Sequence, residues 1–515
     1  MNEEDKHDMI SKDRSIRAKR NSITTLANQL VATITGILIP IIMIDAFGSV
    51  MYGATTSISH FLSYIALLES GIGRAARSAL YQPLAQNDIT GVSKVYYAIR
   101  RFFQGVAIVF IIYTIILAYF YYDIANVENI TRRYLFFLVI AISLSTLIDY
   151  LFGISNQTLL NADQRKYITN LAVIVTRILN TLLILVLIHL GSGLIFVKLI
   201  SGIVIILRPL FLSWYVKRHY KLTKVPREEA VLPQKWSGMA QHIAYFIHTN
   251  TDILLLTIFA DLRLVAVYTV YSLIITSIRS LIISMVGGME AELGDMYARG
   301  EQEALVKRYR QYQFITSMTT VVLLGATNFL ILPFVQLYTK GVSDANYIQP
   351  LFGLILTLGE AVNCLALPAS TLPVSAGQLK QSQWGSFGEA FINISVSCLL
   401  IKWNPLLGVA IGTLAAEIYK LIYYNIYSSH RILQKPLLYS NACYLLIIAV
   451  VLVFGIAGIW VSSNIVIRNF LIWMIWSISA TAAAGCIALL VGLVCYSNET
   501  RSLLNKFRKI LDHIC

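Results

Sequence analysis

Residues 168–215 read ITNLAVIVTRILNTLLILVLIHLGSGLIFVKLISGIVIILRPLFLSWY. Two apolar runs, each matching the ~20 residues a helix needs to cross a bilayer core, are parted only by Gly191-Ser192-Gly193. So short a break makes the two runs antiparallel neighbours in a membrane. Each also holds charge where lipid tolerates little: Arg177 in the first, Lys198 and Arg208 in the second. Apolar spans built around isolated ions set the class of the whole chain.

The same pattern recurs from end to end. The chain has 515 residues, 57% hydrophobic and 13% charged, with a mean hydropathy of +0.67; a soluble domain carries about 25% charged residues. Apolar runs lie near 23–44, 52–72, 100–122, 134–159, 168–190, 194–215, 238–260, 264–289, 312–338, 350–375, 383–402, 405–427, 440–462 and 469–496. These predict an all-α polytopic membrane protein of about fourteen transmembrane helices. The seventh and tenth runs read as the least apolar. The polar opening, Met1 to Asn21, lacks a short apolar core before a small-residue cleavage site, so the first span is expected to serve as the insertion signal. The six cysteines, Cys364, Cys398, Cys443, Cys486, Cys495 and Cys515, have no paired metal-type spacing and read as small reduced apolar residues.

A net charge of +14 raises nucleic acid as a partner, but its placement argues otherwise. Odd-to-even connections hold few cations: Arg132, Arg133, Arg263, Lys340, Lys402 and Arg468. Most of the 41 Lys and Arg residues fall at the N-terminus, in the even-to-odd connections and at the C-terminus. Cations stay on the cytoplasmic side, which predicts a multi-pass protein of the cytoplasmic membrane with both termini inside. The basic tail from Arg501 to Leu511 has apolar residues at helical spacing and reads either as a helix on the anionic inner leaflet or as a solvated tail.

Thr158 to Lys166 and Thr371 to Lys380 share Ala162/Ala376, Gln164/Gln378 and Lys166/Lys380 at an offset of 214. Asn180 and Asn393 match near the same offset, and Phe47 with Tyr52 roughly matches Phe259 with Tyr268. An offset covering an even number of spans predicts two parallel repeats that move about a central cavity. The expected organisation is an N-terminal lobe at 1–222 (spans 1–6), a cytoplasmic linker at 223–235 with Pro226 and Pro233, and a C-terminal lobe at 236–432 (spans 7–12). Two additional spans at 433–500 and a basic tail at 501–515 follow.

An ionisable residue at mid-span costs about 2.5–3.5 kcal/mol on insertion scales, so it faces a cavity or a partner. The first lobe has Asp149, Arg177, Lys198 and Arg208; the second has Asp252, Arg279, Glu360, Glu389, Glu417 and Lys420. Guanidinium groups suit a phosphate because their planar fork donates two hydrogen bonds. Arg177 and Arg279, with Lys198, Arg74 and Arg77, are therefore candidates for an anionic group. The competing reading pairs them with Asp149 or Glu360 as structural ion pairs, has Arg208 snorkel at the inner face, and leaves Arg74 and Arg77 to the charge rule. Asp252, Glu389, Asn393, Glu360 and Asp149 are candidates for cation coupling, with Na⁺ or a proton as the coupling ion; hydrogen bonds between helices are the alternative. Glu389 and Asn393 are four apart and share a helical face. Glu417 and Lys420 are three apart and are positioned to pair. His242 and His248 read as lone core or interface residues. With no GxxxxGK[ST] loop, HExxH or paired CxxC, neither an ATP-driven pump, a metal centre nor another cofactor is expected.

Several stretches carry a resemblance. Ala66-Leu67-Leu68-Glu69-Ser70-Gly71-Ile72-Gly73-Arg74-Ala75-Ala76-Arg77, followed by Tyr81-Gln82-Pro83-Leu84, resembles the bacterial polysaccharide (lipid-linked oligosaccharide) flippase family. So do Ala244 to Asp252, Glu290 to Met296, Ala376-Gly377-Gln378 and Gly408 to Thr413. The match is one of whole pattern over nearly the entire chain. It implies a two-lobed bundle that moves an undecaprenyl-diphosphate-linked oligosaccharide from the inner to the outer leaflet. It also implies partners among the glycosyltransferases and polymerase of surface-polysaccharide synthesis. The family belongs to the superfamily that also holds multidrug exporters, so a cation-coupled exporter of the same fold is the nearest rival. A membrane polymerase or glycosyltransferase, needing an acid or nucleophile on sizeable external loops, fits poorly with the short connections here.

Overall fold

The computed structural model describes the backbone of residues 3–69, 72–127, 130–223, 225–226, 239–435, 438–465, 467 and 469–514. Side chains of 3–15, 72, 74–75, 239–242, 245, 438–440 and 506–514 are outside the description. Most of the expected linker, Arg468, Cys515 and the side chain of His242 thus lie outside the described residues.

No strand occurs among the described residues. Helices satisfy every main-chain polar group within one segment, which is what a chain crossing lipid requires. In order they are α1 (Glu3–Ser63), α2 (Ile72–Ala85), α3 (Ile89–Ala125), α4 (Arg132–Ile148), α5 (Ile154–Ala162), α6 (Lys166–His189), α7 (Leu194–His219), α8 (Met239–Phe259) and α9 (Leu262–Val286). Then come α10 (Met289–Ala298), α11 (Gln302–Thr319), α12 (Gly325–Tyr338), α13 (Pro350–Ser375), α14 (Leu379–Leu400), α15 (Pro405–Tyr427), α16 (Leu438–Asn464), α17 (Phe470–Cys495) and α18 (Ser497–Ile514). The segments α4–α5, α11–α12 and the end of α15 are continuous with π-turns at Asp149–Gly153, Thr320–Leu324 and Ser428–Leu433.

Eleven helical stretches among the described residues are long and apolar enough to span a membrane. The first, Ile16–Leu68, contains the two expected opening spans, separated by a break at Gly48, whose φ of +80° suits glycine. The seventh expected span is shorter in its described apolar part, Phe246–Phe259. The tenth, Pro350–Ser375, is long and apolar enough, whereas the eleventh, α14, is not among the eleven. Its polar residues explain this correction. Ser386 bonds Tyr424 and Asn393 bonds Asp252 and Thr413, so that face meets protein.

The chain forms two compact units, Met1–Ile243 and Ala244–Cys515. In the first, α1 packs on α6, and α7 packs on both α4 and α6. In the second, α15 packs between α13 and α14, while α16 and α17 both lie on α12. One turn recurs in both units. Gln164 and Gly377, 213 residues apart, have φ of +55° and +70°. The next amide in each case, Arg165 or Gln378, donates to a carbonyl five residues back, Leu160 or Pro373, at 2.8 Å. Asn87 and Gly300, again 213 apart, repeat it, with Asp88 bonding Pro83 at 2.9 Å and Glu301 bonding Met296 at 3.0 Å. This is the hydrogen bond that closes a helix on a left-handed residue.

Candidate functional site

The second unit holds a two-layered cluster of polar residues on five helices. Close packing of α14 against α15 makes it. A methyl placed on Gly412 would stand 2.9 Å from the Asn393 carbonyl, and one on Gly408 would stand 2.8 Å from the Ile401 nitrogen. On the facing helix, a methyl on Gly385 would fall 2.6 Å from the Tyr423 ring. Small residues at four-residue spacing let membrane helices approach in this way, and the approach brings polar side chains on α14 and α15 within bonding distance.

Three helices each contribute two residues four apart: His248 and Asp252 on α8, Glu389 and Asn393 on α14, Thr413 and Glu417 on α15. Residues four apart lie one above the other, so the six form two layers. In one layer the Asp252 carboxylate accepts from the Thr413 hydroxyl at 2.8 Å, the Tyr268 hydroxyl at 2.8 Å and the Asn393 amide at 3.4 Å. Asn393 also donates to Thr413 Oγ1 at 3.0 Å. Its own Oδ1 is buried with no hydrogen-bond partner. Oxygen atoms from three helices, one group anionic and one atom unspent, are chemically suited to a hard cation.

The other layer is ionic. His248 Nε2 lies 3.1 Å from Glu417 Oε1 and 3.3 Å from Glu389 Oε1. Lys420 Nζ stands 3.2 Å from Glu389 and 3.3 Å from Glu417, and donates to Asn363 Oδ1 at 3.0 Å. Asn363 in turn donates to Glu360 at 2.9 Å, and Glu360 pairs with Arg279 at 3.4 Å. His248, Glu389 and Glu417 are buried and offer ligand atoms within 4.8 Å of one another. The Lys420 ammonium already contacts both carboxylates, so it supplies the positive charge that a metal would otherwise bring.

The cation candidates Asp252 and Asn393 thus fall in the first layer, and Glu389 and Glu360 in the ionic one. Asp149 does not. It sits in the first unit at the π-turn after α4 and is ion-paired with Arg208, both about a quarter exposed. Arg208 therefore pairs with a carboxylate where a snorkelling side chain was expected. Gly153 makes the room: a methyl there would stand 2.7 Å from the Asp149 carboxylate and 3.5 Å from Pro209.

The cationic candidates are divided between the two units. Arg177, half-buried on α6, reaches Asn28 at 3.4 Å. Lys198, half-buried on α7, has no polar partner among the described residues. Arg279 is tied to the acidic network of the second unit. Arg77 is exposed and bonds back to the Gly73 carbonyl at 3.3 Å, and the side chain of Arg74 lies outside the described residues. His248, expected as a lone histidine, is a hub, and Thr413, Asn363 and Tyr268 join it. A sequence signal existed in the three four-residue spacings on spans seven, eleven and twelve.

No protein-family model and no curated protein matches this sequence. Solved structures do. The fold is that of MOP-superfamily transporters. The lipid II flippase MurJ, in an inward closed conformation, superposes with a TM-score of 0.63 at 15% identity, covering 91% of this chain and 98% of that one. An inward-facing MATE-family multidrug resistance transporter gives 0.59 at 16% identity, covering 80% and 98%. A MOP-superfamily transporter from Pyrococcus furiosus, described as having a binding pocket of reverse polarity that suggests a different function, gives 0.52 at 17%, covering 82% and 96%.

Proposed function

We propose that this chain is a secondary transporter that flips undecaprenyl-diphosphate-linked oligosaccharide units from the inner to the outer leaflet for surface-polysaccharide synthesis. The observation that favours a lipid-linked cargo is coverage. The lipid flippase extends over 91% of the chain, whereas the multidrug transporter extends over 80%. A lipid cargo needs a polar path for its head group, and the sequence resemblance supplies the glycan.

The residues divide into two roles. Asp252, Asn393 and Thr413 bind the coupling cation, Na⁺ or a proton, with Glu389 and Glu360 setting the charge beside it. Arg177 and Arg279 meet the diphosphate, and Lys198, Arg74 and Arg77 attract it. Arg279 is held by Glu360, so a diphosphate would take the place of that carboxylate as its partner; an anion of higher charge competes well for a guanidinium. Asp149 is engaged with Arg208 and is reassigned to structure.

The second reading is a cation-coupled multidrug exporter. The acidic bias of the buried charges in the second unit favours it. Reconstituted vesicles separate the two. The proposal expects outward movement of a defined prenyl-diphosphate glycan that is lost in Arg177→Gln with Arg279→Gln. Efflux of a cationic drug with no glycan movement would replace it by the exporter.

A further inference from the structure

A second candidate site lies within the first unit. Arg17 of α1, the α2–α3 connection, the α5–α6 connection and the end of α7 line a cavity of about 430 Å³. Its charged lining is Arg17, Asp163, Arg165 and Lys221, joined by Tyr220 and His219. Its apolar wall is Pro83, Leu84, Ile89, Val92 and Leu222.

The single carboxylate is fully engaged. Asp163 pairs with Arg165 Nε at 2.8 Å and Arg17 at 3.5 Å, and it accepts a short hydrogen bond from the Tyr220 hydroxyl. Burial and the neighbouring Asp163 push that hydroxyl well above its ordinary pKa, so Tyr220 stays a neutral donor. Burial lowers the pKa of Arg165, but Tyr220, Tyr215 and Asp163 more than offset this, so it stays charged. Three cations against one carboxylate leave the cavity positive by two charges. Lys221 has no internal partner among the described residues.

The remaining structure points to a lipid. α7 runs into the cavity and carries Leu207, Leu210, Phe211 and Trp214, all exposed, at the spacing of one helical face. Arg218 lies over the Trp214 ring at 5.8 Å, as cations and tryptophans do where a bilayer meets water. A headgroup cavity at the end of an acyl-facing stripe, on the side that the charge rule places in the cytoplasm, suits a phosphodiester with chains attached.

We propose that this cavity binds the phosphate of an anionic phospholipid of the inner leaflet. Arg165 and Lys221 hold the phosphate, Arg17 flanks it, and the acyl chains follow α7.

The test uses the purified full-length protein in nanodiscs, with bound lipid read by native mass spectrometry after release. Phosphatidylglycerol should be retained over phosphatidylcholine. Lys221→Gln, which breaks no internal bond, should weaken that retention about fivefold, the effect of one basic residue near an anionic surface, and Lys221→Arg should restore it. Millimolar glycerol 3-phosphate should not displace the lipid. Equal retention of the two lipids, or an unchanged Lys221→Gln, would overturn the proposal. Displacement by glycerol 3-phosphate would overturn the lipid source in favour of a soluble phosphate ester.

Discussion

The two compact units share turns 213 residues apart, yet they use buried charge in opposite ways. The first unit keeps its ions in small groups: Arg208 with Asp149 at a π-turn, and Asp163 with Arg17 and Arg165 at a helix end. The second links His248, Glu389, Glu417, Lys420, Glu360 and Arg279 through Asn363, with Asp252 one helical turn away. One backbone plan thus serves as a set of clamps in one half and as a connected site in the other. Removing a member of a connected buried network leaves several other charges unpaired, whereas breaking an isolated pair leaves only one.

The largest effect should come from Lys420. Lys420→Met leaves Glu389 and Glu417 facing each other without their shared cation, and unfolding of the purified protein should show a loss of about 3–5 kcal/mol. Adding Glu389→Gln should recover part of it; a double variant no better than the single would mean that the two residues do not act together. Next is the packing that creates the site. Gly412→Ala pushes a methyl against the Asn393 carbonyl and should cost about 1–3 kcal/mol, read by the same melting experiment. It should also weaken Na⁺ or proton dependence by moving Asn393. The smallest change is expected in the first unit. Asp149→Asn, which leaves only Arg208 without its partner, should cost less stability than Lys420→Met and leave ion coupling intact. A fall as large as that from Lys420→Met would erase the distinction between the units.

The spans were legible in the sequence because apolar length is local information. The repeat was legible at an offset of 214, where Gln164 matches Gln378, but the turns set Gln164 against Gly377, one residue short of that register, because such a turn follows backbone conformation and not side-chain identity. The eleventh span was harder: α14 is polar on the face that meets α15, and hydropathy alone cannot tell a protein-facing polar residue from a water-facing one. The acidic candidates of the second unit were legible as types, since Asp252, Glu389 and Glu360 are costly in lipid. Their connection was not, because it depends on Gly408 and Gly412 drawing two helices together, and on His248 and Thr413, which look ordinary when read singly. Asp149 shows the reverse: a costly residue in sequence that the fold satisfies with the nearby Arg208.

In the proposed cycle an ion gradient acts at the Asp252 layer of the second unit. The most direct measurement is flipping of a prenyl-diphosphate glycan by reconstituted protein under an imposed Na⁺ or proton gradient, with Asp252→Asn beside Asp149→Asn. Gradient-driven flipping is expected in the parent chain and in Asp149→Asn, with its loss in Asp252→Asn. Unchanged gradient dependence in Asp252→Asn would contradict that expectation.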